Sequence, residues 1–116
     1  KECSINEVYK QKIISASDIS TIVTGKRLGH PVRSLKTAFS RNYAKAEYSS
    51  ITDEELENLA VGALRLAVEN GDVKKGCFLC GQIAGMVNRE QTAAEIITEI
   101  FDETEKILNG AKKWVK

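Results

Sequence analysis

The chain has 116 residues, 42% hydrophobic and 28% charged, with a formal net charge of +1. That length suits one small domain with a modest core and argues against two independent ones; the near-neutral charge gives no overall bias toward nucleic acid or an anionic membrane surface. No apolar run approaches the roughly 20 residues of a membrane-spanning helix and no charged-then-apolar leader opens the chain, so a cytoplasmic location is expected, with no membrane or nucleic-acid partner.

Three cysteines are too few for a disulfide framework, which fits a reducing compartment. The chain opens on Lys1 rather than Met, and "KECS" runs straight into a helix signal, so continuity with a longer polypeptide is expected.

Ser4-Ile5-Asn6-Glu7 has the form of a capping box, in which the Ser hydroxyl takes a free amide of the first turn and the Glu reaches back. Ile5, Val8, Tyr9, Ile13 and Ala16 follow at helical spacing and predict a helix from about Ile5 to Ala16. In Ile19–Thr24 β-branched residues dominate until Gly25, and "PVRSL" supplies a second short run. Together they predict a small antiparallel pair, with Pro31, which lacks an amide hydrogen, at an edge or strand start. From Lys36 to about Glu47 the composition is helical again, with Ala38, Phe39 and Tyr43 as the expected buried side.

Thr52-Asp53-Glu54-Glu55 is a second capping box, with acids in the first turn where the helix dipole favours them. Leu56, Leu59, Ala60, Ala63, Leu64 and Ala67 make an apolar stripe that predicts one helix running to Gly71, a residue suited to a left-handed C-terminal cap. Gly62, inside that helix, costs about 1 kcal/mol relative to Ala and is expected to permit a close approach by a neighbour. Asn88-Arg89-Glu90-Gln91 is the expected cap of a final long helix whose stripe is Ala93, Ile96, Ile97, Ile100, Phe101, Ile107, Leu108, Ala111 and Trp114. Its front is acidic (Glu95, Glu99, Asp102, Glu103, Glu105) and its end basic (Lys112, Lys113, Lys116), which complements the dipole. The fold class is therefore mainly α with a short antiparallel β pair.

Chemistry concentrates in "GCFLCGQIAGMV". Cys77 and Cys80 have the Cys-x-x-Cys spacing of redox or zinc motifs, but no βαβ pattern surrounds them, and only Cys3 and His30 remain as further ligands, in no second paired motif. Packed, reduced thiols are the expectation. Gly81 and Gly85 remove side chains where the backbone nears something flat or bulky, while Gln82 adds a two-sided amide; tight packing explains the glycines equally well. No triad or phosphate loop can be assembled, and His30 sits in a turn. Between Ile19 and Ala46 lie six basic residues (Lys26, Arg27, Arg33, Lys36, Arg41, Lys45) and no acid, either a solvated face or a docking surface for an acidic partner.

The ordered strings "VYKQKIISASDISTIVT", "GHPVRSLKTAFSRNYAKAE", "GALRLAVENGDVKKG" and "GQIAGMVNREQTAAEII" resemble the C-terminal third of the FMN-dependent enoyl-acyl-carrier-protein reductase II family, flavoenzymes related to nitronate monooxygenases. The resemblance implies a (β/α)8 barrel enzyme that reduces the enoyl double bond of acyl-carrier-protein thioesters in bacterial fatty acid synthesis, using NADH or NADPH through FMN. Residues 1–17 are then a helix leaving the barrel, 18–75 a small cap or substrate domain, and 76–116 an active-site segment with a terminal helix returning to the barrel. It also implies that Gly81 and Gln82 border the flavin and that Phe78, Leu79 and Cys80 line the acyl channel. Lys26, Arg27, Arg33, Lys36 and Arg41 would dock the acidic carrier, and a homodimer is expected. The family's catalytic histidine belongs to the barrel part, so no catalytic residue is expected here and the segment alone should be inactive. A nitronate monooxygenase portion, or a free-standing helical module binding an acidic partner, are the alternatives.

Overall fold

The computed structural model describes residues 1–114, with the backbone alone at Lys112. Among them are five α-helices and one two-stranded antiparallel sheet. Helix α1 (Glu7–Ile14) begins later than the Ser4 capping box predicts, because Asn6 takes that role. Its Oδ1 accepts from the Val8 amide at 2.9 Å, while its Nδ2 and backbone amide donate to the Glu69 and Val68 carbonyls at 3.2 and 2.8 Å. The tie to residues 68–69 fixes the helix start where local sequence alone favours Ser4.

Strands β1 (Thr21–Thr24) and β2 (Val32–Leu35) form the expected hairpin, with Thr21 opposite Leu35 and Thr24 opposite Val32. Pro31 stands just before β2, where its missing donor costs no ladder bond. Helix α2 (Ala38–Ala46) has an unforeseen capping box, Thr37 with Ser40. The Ser40 hydroxyl also donates to the Leu35 carbonyl at 3.0 Å, which turns Ser40 and Tyr43 inward and leaves Ala38, an expected core residue, exposed.

Helix α3 (Asp53–Ala60) starts on the predicted Thr52–Glu55 box, with Glu55 N donating to Thr52 Oγ1 at 3.2 Å and Thr52 N to Glu55 Oε2 at 2.7 Å. It does not run on to Gly71. Val61 turns to ψ 123° and Gly62 to φ 73°, a left-handed conformation that costs glycine little, and a new helix begins. This α4 (Ala63–Arg65) continues as a π-helical turn (Leu66–Asn70) and stops at Gly71, φ 62°, as its sequence predicts. Nothing lies within 4 Å of where a Gly62 side chain would stand, so Gly62 breaks the helix instead of admitting a neighbour. The break splits the expected stripe: Leu56, Ala63 and Ala67 are buried, and Leu59, Ala60 and Leu64 are exposed.

The chain's contacts fall into two units, Ser4–Arg89 and a second made of Lys1–Cys3 with the residues from Glu90 onward. The first holds a core of Tyr9, Leu35, Ala67, Phe78 and Ala84. Phe78 is fully buried, its ring centroid 4.9 Å from that of Tyr9, and burying such a ring is worth roughly 2–3 kcal/mol. In the second unit, α5 (Ala93–Ala111) is capped by Thr92 rather than within residues 88–91. Glu95 N donates to Thr92 Oγ1 at 3.1 Å and Thr92 N to Glu95 Oε2 at 2.6 Å, the reciprocal pair that a Thr-x-x-Glu supplies and "NREQ" does not. The Lys1 ammonium and Glu2 carboxylate tie the first residues to Gln91 and Ala93. No α5 residue is buried, and its acidic front is as predicted, while Lys116 of the expected basic end lies outside the described residues. Among the described residues no helix is long and apolar enough to cross a membrane.

Candidate functional site

Gly76–Gln82 takes its course from backbone bonds on both sides. The Asp72 carboxylate accepts from the amides of Lys74 and Lys75 at 2.9 and 3.0 Å, which holds that carboxyl below the usual range and closes the turn before Gly76. Cys77 N then donates to the Ala63 carbonyl at 2.9 Å. Beyond it the chain lies antiparallel along the outer edge of β2: Leu35 N donates to the Phe78 carbonyl at 2.8 Å, Cys80 N to the Arg33 carbonyl at 3.1 Å, and Ser34 pairs with Leu79. The Tyr9 hydroxyl donates to the Leu79 carbonyl at 2.6 Å.

Extended backbone alternates its side chains between two faces. Phe78 and Cys80 therefore pack with the core, while Cys77 and Leu79 turn to the opposite side, where both border a cavity. The two cysteines are thus on different faces of one strand-like segment. Burial pushes both thiols up, the opposite of what a reactive thiolate needs. All three cysteines are free, and no group of three or more potential metal ligands occurs among the described residues.

Gly81 is extended (φ −80°, ψ 173°) and exposed, with open space where a side chain would be. Gln82 opens a 3-10 turn (Gln82–Met86), is exposed, and its carboxamide has no hydrogen-bond partner among the described residues. Gly85 differs: an added Cβ there would meet the Ser17–Asp18 backbone, so its small size serves packing. Open backbone followed by an uncommitted amide is a surface on which a flat, hydrogen-bonding ring system can rest.

Two cavities share Phe39 and Tyr43, and one of them is lined by Cys77 and Leu79 of this segment. One, of about 290 Å³, is bordered by Leu28, Val32, Leu64, Cys77 and Leu79, with His30 and Glu57 as its polar members. The other, of about 350 Å³, lies among Asn42, Leu59, Val61, Leu66, Lys74 and Lys75. Burial, then the nearby Glu47 and Glu57, raises the Tyr43 hydroxyl. Of the three residues expected along an acyl channel, Leu79 faces a cavity and Phe78 and Cys80 face the core. Cys77, Phe39 and Leu64 border the cavity although the sequence marks none of them as channel-lining: Cys77 stands out as a thiol, Leu64 as part of a helical stripe, and the i, i+4 aromatic pair Phe39–Tyr43 as core.

The basic residues divide by use. Arg27 bonds the Ser49 and Ile51 carbonyls at 3.3 and 2.7 Å and pairs with Asp53 at 2.8 Å, which fastens the hairpin loop to the α2–α3 connection. Arg33 reaches across the hairpin to Thr21 Oγ1 at 2.9 Å. Lys26, Lys36, Arg41 and Lys45 are exposed.

Residues 1–103 match the sequence profile of the family described as nitronate monooxygenase. Among solved structures, that of FabK from Thermotoga maritima is 36% identical with a TM-score of 0.90, over 96% of this chain and 35% of that one. A mutant of FabK from Thermotoga maritima is 33% identical with a TM-score of 0.80, over 98% of this chain and 33% of that one. The chain spans about a third of the length of these structures. No curated protein matches it.

Proposed function

The chain belongs to the nitronate monooxygenase family, and from that premise we propose that it is the portion of a flavin-dependent enoyl-acyl-carrier-protein reductase that walls the acyl pocket and one side of the flavin. The observation carrying this reading is the likeness to FabK, an enoyl reductase, at a TM-score of 0.90 over 96% of the chain. In that reading residues 1–17 leave a (β/α)8 barrel, 18–75 form the cap domain, and 76–116 return to the barrel.

FMN, when bound, supplies the two-electron relay between NADH or NADPH and the enoyl double bond. This chain's share is contact and exclusion. Gly81 lets the backbone approach the ring, and the Gln82 carboxamide offers one donor and one acceptor face to it. Both residues fit that role, since the first has open space beside it and the second has its amide uncommitted. The bonds from β2 and Tyr9 to residues 78–80 hold the strand leading to Gly81, which limits its drift under a ligand.

The test is made in the complete enzyme. Gly81→Leu and Gln82→Leu are expected to lower bound FMN per polypeptide and shift the flavin absorption; unchanged content and spectrum would count against the assignment. For the reaction, the family name favours one second reading, oxidation of alkyl nitronates by oxygen. NADH oxidation dependent on an enoyl thioester supports the reductase, and oxygen uptake dependent on a nitronate supports the other.

The exposed Lys26, Lys36 and Arg41 are the carrier-docking candidates left once Arg27 and Arg33 are tied into the fold. Acyl carrier proteins are acidic, and charge complementarity speeds encounter. Reversing these charges should raise KM for carrier-bound substrate and spare its coenzyme A analogue; equal effects on both would contradict docking. A cytoplasmic homodimer completes the proposal.

A further inference from the structure

The two cavities that meet at Phe39 and Tyr43 differ in what they can hold. Lys74 and Lys75 line the larger one, and no carboxylate does. The smaller, of about 290 Å³, has apolar walls and a single carboxylate, Glu57, with no lysine or arginine. Glu57, exposed and at the edge of this lining, repels an anionic head group, while the apolar walls favour an uncharged chain. The volume lies near the lower limit of small-molecule pockets, which suits a hydrocarbon tail better than a nucleotide.

Part of the lining of this chamber, Cys77 and Leu79, belongs to the segment that ends in Gly81 and Gln82. Leu79, two residues earlier, is held through its carbonyl by Tyr9 and through its pairing with Ser34, so its side chain is directed to the chamber. A further part of the lining lies on either side of the helix break at Gly62. Ala60 and Leu64, on either side of that break, are exposed apolar residues that border the chamber instead of the core.

We infer that the chamber between the hairpin, α2 and the α3–α4 break receives the distal part of the substrate's acyl tail, with Ala60 and Leu64 setting the longest tail it accepts. This rests on the reductase reading above. Enlarging a side chain at either position shortens the chamber; trimming Leu64 lengthens it. The lysine-lined cavity takes no part.

The experiment is calorimetric binding of butyryl- and decanoyl-coenzyme A, saturated thioesters that cannot be reduced, to the complete flavin-loaded enzyme. The wild type is expected to bind the longer chain at least tenfold more tightly. Ala60→Phe and Leu64→Trp should abolish that preference, whereas Leu59→Trp, in the other cavity, should keep it. Leu64→Ala guards against misfolding of the enlarged variants and should extend the preference to a sixteen-carbon chain. A preference untouched by all three chamber variants, or lost equally in Leu59→Trp, would overturn the assignment. Turnover separates the two levels: a wild type that prefers the long chain but reduces no enoyl thioester defeats the reductase reading and leaves the chamber supported. One that reduces enoyl thioesters with no length preference defeats the chamber alone.

Discussion

Phe78 and Phe101 are both aromatic residues in apolar segments, yet the first is 0% exposed and the second 71%. Around Phe78, hydrogen bonds to β2 and from Tyr9 determine which side chains turn inward, and Tyr9, Leu35, Ala67 and Ala84 cover it. Along α5 the spacing is equally regular, but no residue is buried. Periodicity therefore specifies an apolar face, while burial depends on a second surface. In the proposed enzyme the barrel would supply that surface to α5.

The largest expected effect tests the buried side of this contrast. Phe78→Ala should cost the complete enzyme about 3–5 kcal/mol in chemical denaturation, the range for deleting a buried ring; a loss under about 1 kcal/mol would mean the ring is not held as described. Next comes the bare side. Phe101→Asp should destabilise the complete enzyme by about 2–4 kcal/mol, since a covered face cannot accommodate an unpaired charge. A change within about 0.5 kcal/mol would show that the face stays in water.

Tyr9→Phe should cost about 1 kcal/mol through loss of the bond to the Leu79 carbonyl. It also carries a pH signature. Burial, reinforced by nearby Cys77 and Cys80, pushes the Tyr9 hydroxyl up to about 12. Because the folded value is raised above the ordinary value of about 10, the contribution is complete below pH ~10 and is lost as the pH rises through ~12. Denaturation midpoints across that window should fall less steeply in Tyr9→Phe than in the wild type, and equal slopes would contradict the burial argument. The smallest effect belongs to the cysteines: replacing Cys77 and Cys80 together with Ala should change turnover less than about threefold, whereas a hundredfold loss with flavin retained would restore a thiol role.

Much of the fold is legible where the signal is local. The hairpin, the Thr52–Glu55 box and the Gly71 stop depend on residues within a few positions of one another, and each forms as its sequence predicts. The start of α1 does not, because Asn6 is recruited by residues more than sixty positions away. The break at Gly62 escapes periodicity because Leu59, Ala60 and Leu64 match a helical stripe whether or not the helix continues. Gly81 and Gln82 stand out only through the ordered motifs around them, and the chamber walls are invisible in one dimension, since they combine the hairpin, α2, the break and one face of residues 77–79.

The most direct measurement is an anaerobic visible spectrum of the complete enzyme, taken before and after NADH or NADPH and then after an enoyl thioester. A flavin band that bleaches with the nicotinamide and returns on addition of the thioester is the expected result. A colourless folded protein, as a free-standing helical binding module would be, or a bleached flavin that returns only with oxygen, would contradict it.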